Sequence, residues 1–323
     1  MIEAHRRQYR VQMMCRALSV TRSGYYAWRK RPESRRAQED RRLLVEIRAI
    51  HRATRQSYGS PRITDDLKEK EIPCGRHRVA RLMRENEIVG KQAKKFKPHT
   101  TDSKHTLPVA ENLLDRRFDV GAPDRYWVSD ITYIWTREGW LYLAATMDLY
   151  SRRIVGWSMS DSADRELVLN AFWMAVGRRR PGPGLLHHSD RGSQYASNEF
   201  QDELGSAGMI CSMSRKGDCY DNAVMESFFG SLKVEWLEGC AYETRREASE
   251  DVVAYIETFY NTRRRHSHLG NISPVEFERS AKSQDLGSLS ESDALRARTS
   301  DALHSARVKV PAVSELSKGR YTN

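Results

Sequence analysis

Two long β-prone runs, "YWVSDITYIW" and "GWLYLAATMDLY", stand on either side of the turn "TREG" near the middle of the chain. Their aromatic and β-branched residues favour extended backbone, and a short polar turn makes the pair a hairpin. "RRIVGWSMS" reads as a third strand, the apolar run in "LLHHSD" as a fourth and "MICSMS" as a fifth. Helical patterns lie between and after them. "DRELVLNAFWMAVGRRR" is closed by "PGPG", "SNEFQDELGSAG" has Ser197 as its N-cap, and "NAVMESFFGSLKVEWLEG" forms a long helix. An antiparallel meander followed by strands alternating with helices specifies an α/β fold with a mixed five-stranded sheet flanked by helices.

The chain ahead of this sheet is helical. "VQMMCRAL", the turn "SVTRSG" and the basic, aromatic "YYAWRKR" form a helix-turn-helix-like segment over 1–33 that offers Arg29 and Lys30 to DNA. A second such unit spans 34–93. Leu43, Leu44, Ile47 and Ile50 make one apolar stripe, and Ile63 and Leu67 another. "RHRVARLMREN" sets Arg76, Arg78 and Arg81 beside a Val79/Leu82/Met83 face. Residues 94–121 read as a polar linker, 122–279 as the sheet-bearing core, and 280–323 as a flexible tail.

Charge divides the chain in the same way. Residues 1–100 carry 26 Lys/Arg against 11 Asp/Glu, whereas the remainder carries 28 against 32. A basic front on a slightly acidic body suggests one part that grips a polyanion and another with a different task. No apolar run has the roughly 18 residues of a membrane span. The 5 cysteines are scattered without a CxxC pair, which speaks for a reducing cytoplasm and against structural zinc.

Three carboxylates sit where acids are rarely found. Asp130 lies in a strand of Trp, Val, Ile and Tyr, and Asp190 follows an apolar strand. Glu226 lies on a helix amid Val224, Met225, Phe228 and Phe229. Such acids are normally paired or metal-bound. Fifty-nine residues separate the first two and 35 the last two. Asp148, Asp218 and Asp221 compete for the same role, Asp148 first among them. The adjacent His187 and His188 do not read as a zinc site, because successive strand residues face opposite ways and no cysteine is near. Ser189 lacks a GxSxG setting, so a serine hydrolase is excluded too. Both histidines are expected to be packing residues.

In that spacing, and in "HHSDRGSQYASNEF", "GDCYDNAVMESFFGSLKVE" and "YIETFYNTRRRHSHLGNISPVEFE", the chain resembles bacterial insertion-sequence transposases of the IS-three type. The likeness is to their second-frame, OrfB, catalytic subunit and covers about residues 1–280. It implies a ribonuclease-H-like core of the integrase superfamily. It further implies a DNA transposase with Asp130, Asp190 and Glu226 as catalytic residues and ligands of two magnesium or manganese ions. Lys233, Arg215, Lys216, Arg263, Arg264, Arg265 and His266 are expected on DNA phosphates. The expected partners are double-stranded DNA at the element ends and target, and other copies of the chain on that DNA. A first-frame OrfA protein, joined by frameshifting, is expected as well. Two rival readings stay open: a ribonuclease-H-type nuclease that cuts without joining, and a non-catalytic DNA-binding regulator.

Overall fold

The computed structural model describes residues 1–92, 107–215 and 219–283. The chain divides into two compact units at Gln92/Ala93.

The first unit is all-helical. Three short helices, α1 (Ile2–His5), α2 (Val11–Ala17) and α3 (Arg22–Lys30), precede α4 (Arg35–Ala53), α5 (Ser60–Glu69) and α6 (Arg76–Glu85). Thr21 and Ser34 cap α3 and α4, their hydroxyls accepting from the amides of Gly24 and Ala37. The apolar stripes of α4, α5 and α6 meet in one core in which Ile47, Ile63, Leu67 and Val79 are fully buried. After α6 the chain returns past Tyr58 and Gly59 so tightly that a Cβ on Gly90 would lie 2.8 Å from the Gly59 nitrogen.

The second unit is built on one five-stranded sheet of order β3-β2-β1-β4-β5. Strands β1 (Tyr126–Thr136), β2 (Gly139–Asp148) and β3 (Ile154–Ser160) are the antiparallel meander. Then α7 (Arg165–Arg179) leads to β4 (Leu186–Ser189), and α8 (Asn198–Ser206) leads to β5 (Ile210–Met213). Both later strands run parallel to β1. Asp164 caps α7 and Ser197 caps α8, the latter as its sequence predicts. Trp127, Leu167, Phe172, Phe200, Leu204 and Met213 pack between the sheet and helices α7 and α8. Gly156 brings β3 against α7, since a Cβ there would stand 2.1 Å from the Ala171 carbonyl oxygen.

Beyond β5 a short 3-10 turn (Cys219–Asn222) opens α9 (Ala223–Ser231), whose winding loosens to a π-helix over Leu232–Leu237. Helix α10 (Arg245–Val253) likewise continues as a π-helix over Ala254–Tyr260, and residues 274–283 are helical. The expected linker differs from a free spacer in its described part. The amides of Leu113 and Leu114 both bond the Ser212 hydroxyl, Leu114 is fully buried, and Asn112 donates to Asp221 at 2.7 Å. Apolar Leu107, Ala110 and Leu114 supply this docking despite polar neighbours. The tail from residue 284 lies outside the described residues.

Candidate active site

The site forms where a long strand outruns a short one. β4 pairs with β1 only as far as Ser189 opposite Ser129. Asp130 is the next residue of β1 and Asp190 the next of the chain after β4. Both therefore stand at the carboxyl end of a parallel pair beside the point where the strand order reverses, which is where open α/β sheets bind ligands. Asp130 keeps part of its surface accessible, and its Oδ1 accepts from the Ile131 amide at 2.8 Å. The Oδ1 of Asp190 accepts from the Gly192 amide at 2.9 Å, and a Cβ on Gly192 would lie 3.0 Å from that oxygen. Glycine thus permits the turn that aims the carboxylate.

Glu226 enters from the first turn of α9. Met225, Phe228 and Phe229 bury the inner face of that helix and leave Glu226 exposed. The three acids share one electrostatic neighbourhood. Burial pushes the Asp130 carboxyl well above the usual range; the charge of Asp190 adds to this and that of Glu226 adds further, while Lys233 acts in the opposite sense. Lys233 lies on the π-helical turn with its Nζ 4.8 Å from the Tyr133 ring centroid. Burial lowers its pKa and the Asp130 charge raises it. Among the described residues no three His, Cys, Asp or Glu side chains are gathered into a closed ligand shell. Even so, the donor set fits a hard divalent cation. It is all carboxylate oxygen, and a cation would offset both the burial that lifts Asp130 and the repulsion from Asp190 and Glu226 that adds to it.

His187 and His188 are packing residues, as expected. On one face His187 Nε2 is 2.9 Å from the Ser129 hydroxyl, which also meets Thr146. On the other, His188 lies 2.9 Å from the Ser212 hydroxyl and 3.1 Å from that of Ser214. Burial depresses their pKa values to about 3 and about 4, so both stay neutral. Tyr195 packs against His187 and Phe200; its hydroxyl is buried and makes no hydrogen bond in the structure.

Asp148, the first substitute for a triad member, belongs elsewhere. It is paired with Trp127 across the hairpin and so faces away from Asp130, whose partner is Ala145. Its carboxylate accepts from Arg179 and from the amides of Asp124 and Tyr150. Asp221 is a buried staple bonded by Asn112 and the Arg215 amide. Lys216 and Asp218 lie outside the described residues.

Several expected phosphate contacts are engaged inside the protein instead. Arg264 is buried and grips Glu235 through two bonds of 2.6 Å. Arg265 donates to the Asn271 carbonyl, and His266 packs edge-on against Tyr260. A run of basic residues reads as a solvated surface in sequence, but here only Arg263 of the four is exposed. Arg78 and Arg81 both reach Asp40 at 2.6 Å and tie α6 to α4; Arg76 and Lys30 are exposed, as is Arg29 beside Glu3 at 3.7 Å. Arg215 bonds Asp115.

The integrase core domain family model matches residues 121–219, a second integrase core domain model matches 226–281, and an HTH-like domain model matches 38–96. A 31 kDa protein of insertion element IS600 from Shigella sonnei is 48% identical over 82% of this chain and 97% of its own length. Transposase InsF of insertion sequence IS3A from Escherichia coli is 42% identical over 86% of this chain and 96% of its own. The chain belongs to the IS3 transposase family. Among solved structures, a chain of a simian T-cell lymphotropic virus intasome is 14% identical over 72% of this chain and 73% of that one, with a TM-score of 0.42. Among the described residues of this IS3-family protein, no helix is long and apolar enough to cross a membrane.

Proposed function

We propose that this IS3-family transposase cleaves the 3′ ends of its element and joins them to target DNA at Asp130, Asp190 and Glu226. The observation that carries the reading is the convergence of these charges at the end of the β1/β4 pair. Asp130, Asp190 and Glu226 would hold two divalent ions, magnesium or manganese. Such a pair supplies charge neutralisation and activates an oxygen nucleophile for in-line displacement.

The protein's own groups bind and orient. Water gives up a proton as it attacks the terminal phosphodiester, the bond between phosphorus and the element's 3′ oxygen breaks, the flanking DNA keeps the phosphate at its 5′ end, and the departing oxygen takes up a proton as a free 3′-OH. That hydroxyl loses its proton as it attacks a target phosphodiester, and the displaced target 3′ oxygen takes a proton up. Lys233 binds a phosphate beside the acids, and Arg263, Arg76, Arg29 and Lys30 add exposed cations along the duplex. Arg215, already bonded to Asp115, and Lys216 are proposed beside the scissile strand. The chain acts in the cytoplasm as several copies on DNA, fused to an OrfA partner that recognises the terminal repeats.

A labelled duplex ending in the element's terminal repeat, incubated with magnesium, manganese or EDTA, tests this. Metal-dependent nicking followed by joined products is expected, with a loss of about a hundredfold or more in Glu226→Gln. Nicking without joining would favour a nuclease. Binding without cleavage, unaffected by the mutation even in the OrfA fusion, would favour a regulator.

A further inference from the structure

The hairpin that carries Asp130 also carries an aromatic strip for which catalysis has no use. Past Ser129, β1 is paired only with β2, and its residues alternate in burial. Thr132, Ile134 and Thr136 are buried, whereas Tyr133 and Trp135 face outward. Trp135 stands opposite Trp140, their rings 4.8 Å apart, and the Trp140 ring is 4.9 Å from that of Tyr133. Trp135 is 60% exposed and Trp140 42%. Leaving two tryptophans in water gives up much of their burial energy, so a strip of this kind marks a binding surface.

The strip is held rigidly. Arg245 of α10 donates to the Trp140 carbonyl at 2.9 Å and, through its amide, to Glu138 at 2.8 Å. The Arg137 amide bonds the Tyr242 carbonyl at 3.0 Å, and its guanidinium pairs with Glu243. Charged residues thus frame the rings, which fits a second protein copy poorly, since charge is depleted at the centre of such interfaces. At the inner end the Lys233 ammonium lies over Tyr133 and feels the Asp130 charge. Ring faces beside a cation, continuous with a phosphoryl-transfer site, suit a nucleic-acid strand whose bases stack while its phosphates meet the cation.

We propose that Trp140 and Trp135 stack unpaired bases of a DNA strand whose backbone passes Lys233 where it lies over Tyr133. The proposal rests on the DNA-transfer reading above and names the form of DNA that the site holds open. The test uses the full chain without divalent metal. A blunt duplex is compared with one bearing a single-stranded extension that contains 2-aminopurine. Wild type is expected to quench the probe. Trp135→Ala is expected to weaken binding of the extended DNA about tenfold while leaving the blunt duplex unchanged. Trp135→Phe, which preserves a ring and guards against a folding defect, should restore most of the loss. Trp173→Ala, at an exposed tryptophan of α7, should have no effect. Blunt-duplex binding without quenching, or equal binding by Trp135→Ala, overturns the strip alone. So does a change in oligomeric state, which would make the strip an interface between copies. If neither wild type nor its OrfA fusion binds either DNA, the transferase reading falls and the strip proposal with it.

Discussion

Two neighbouring histidines, placed back to back through the sheet, make stability depend on pH. Their folded pKa values of about 3 and about 4 lie below the unfolded value near 6.5. Neutral imidazole is therefore the native form. The stability this contributes is complete above about pH 6.5 and drains as pH falls toward the folded values, because the unfolded chain takes up protons that the native one refuses. Each histidine adds a slope of about 1.4 kcal/mol per pH unit within that window. Urea unfolding of wild type and His188→Asn between pH 7 and 4.5 should show the variant losing about half of the histidine-derived slope. Parallel curves would refute the assignment. The role of this pair was legible in sequence, since adjacent strand residues cannot converge on one ion. The burial of Arg264 was not, because its partner Glu235 is 29 residues away and no local pattern links them.

At the scale of elements, the helix that bears Glu226 changes its winding and is tied at that change. Its π-helical turn carries Lys233 toward Asp130, and the Arg264–Glu235 fork fixes that turn, with a further bond from Arg264 to the Ser231 hydroxyl at 3.0 Å. A lysine at 264 cannot reproduce the two-pronged geometry and leaves Glu235 partly unpaired. Arg264→Lys is expected to cost about 3 kcal/mol, measured as a fall in the urea midpoint, and to reduce strand joining more than duplex binding. An unchanged midpoint would show that the fork holds nothing. The sequence specifies one long helix over this stretch with Glu226 within it. The change of winding is not legible there because hydrophobic spacing near 3.6 residues does not distinguish an α from a π turn over six residues. The strands were readable for the opposite reason. The β1–β2 hairpin and the short β4 are marked by composition and turns alone, and they set the position of both aspartates.

For the whole molecule, charge is divided unequally between the two units. The basic excess lies in the first 100 residues. Two of the arginines expected on DNA there are already committed to Asp40, so the proposed electrostatic grip rests on exposed groups such as Arg76 and Lys30. Duplex affinity should fall steeply with salt. Arg76→Glu and Lys30→Glu should each weaken binding of unrelated sequences uniformly and reduce the slope of log affinity against log salt by about 1. Arg81→Glu should instead destabilise the first unit before it changes that slope. A salt slope equal to wild type in all three would place the contact surface elsewhere.

The short fourth strand also governs where the chain tolerates change. Asp190 keeps its position only while β4 stays in register with β1, and one residue gained inside β4 would turn the carboxylate to the opposite face. Just upstream, α7 ends at Arg180 in a left-handed conformation and the exposed "PGPG" turn leads into the strand. Length added in that turn shifts neither strand. The interval between the two aspartates can therefore lengthen in this turn without moving either acid, while the four residues immediately before Asp190 must keep their number.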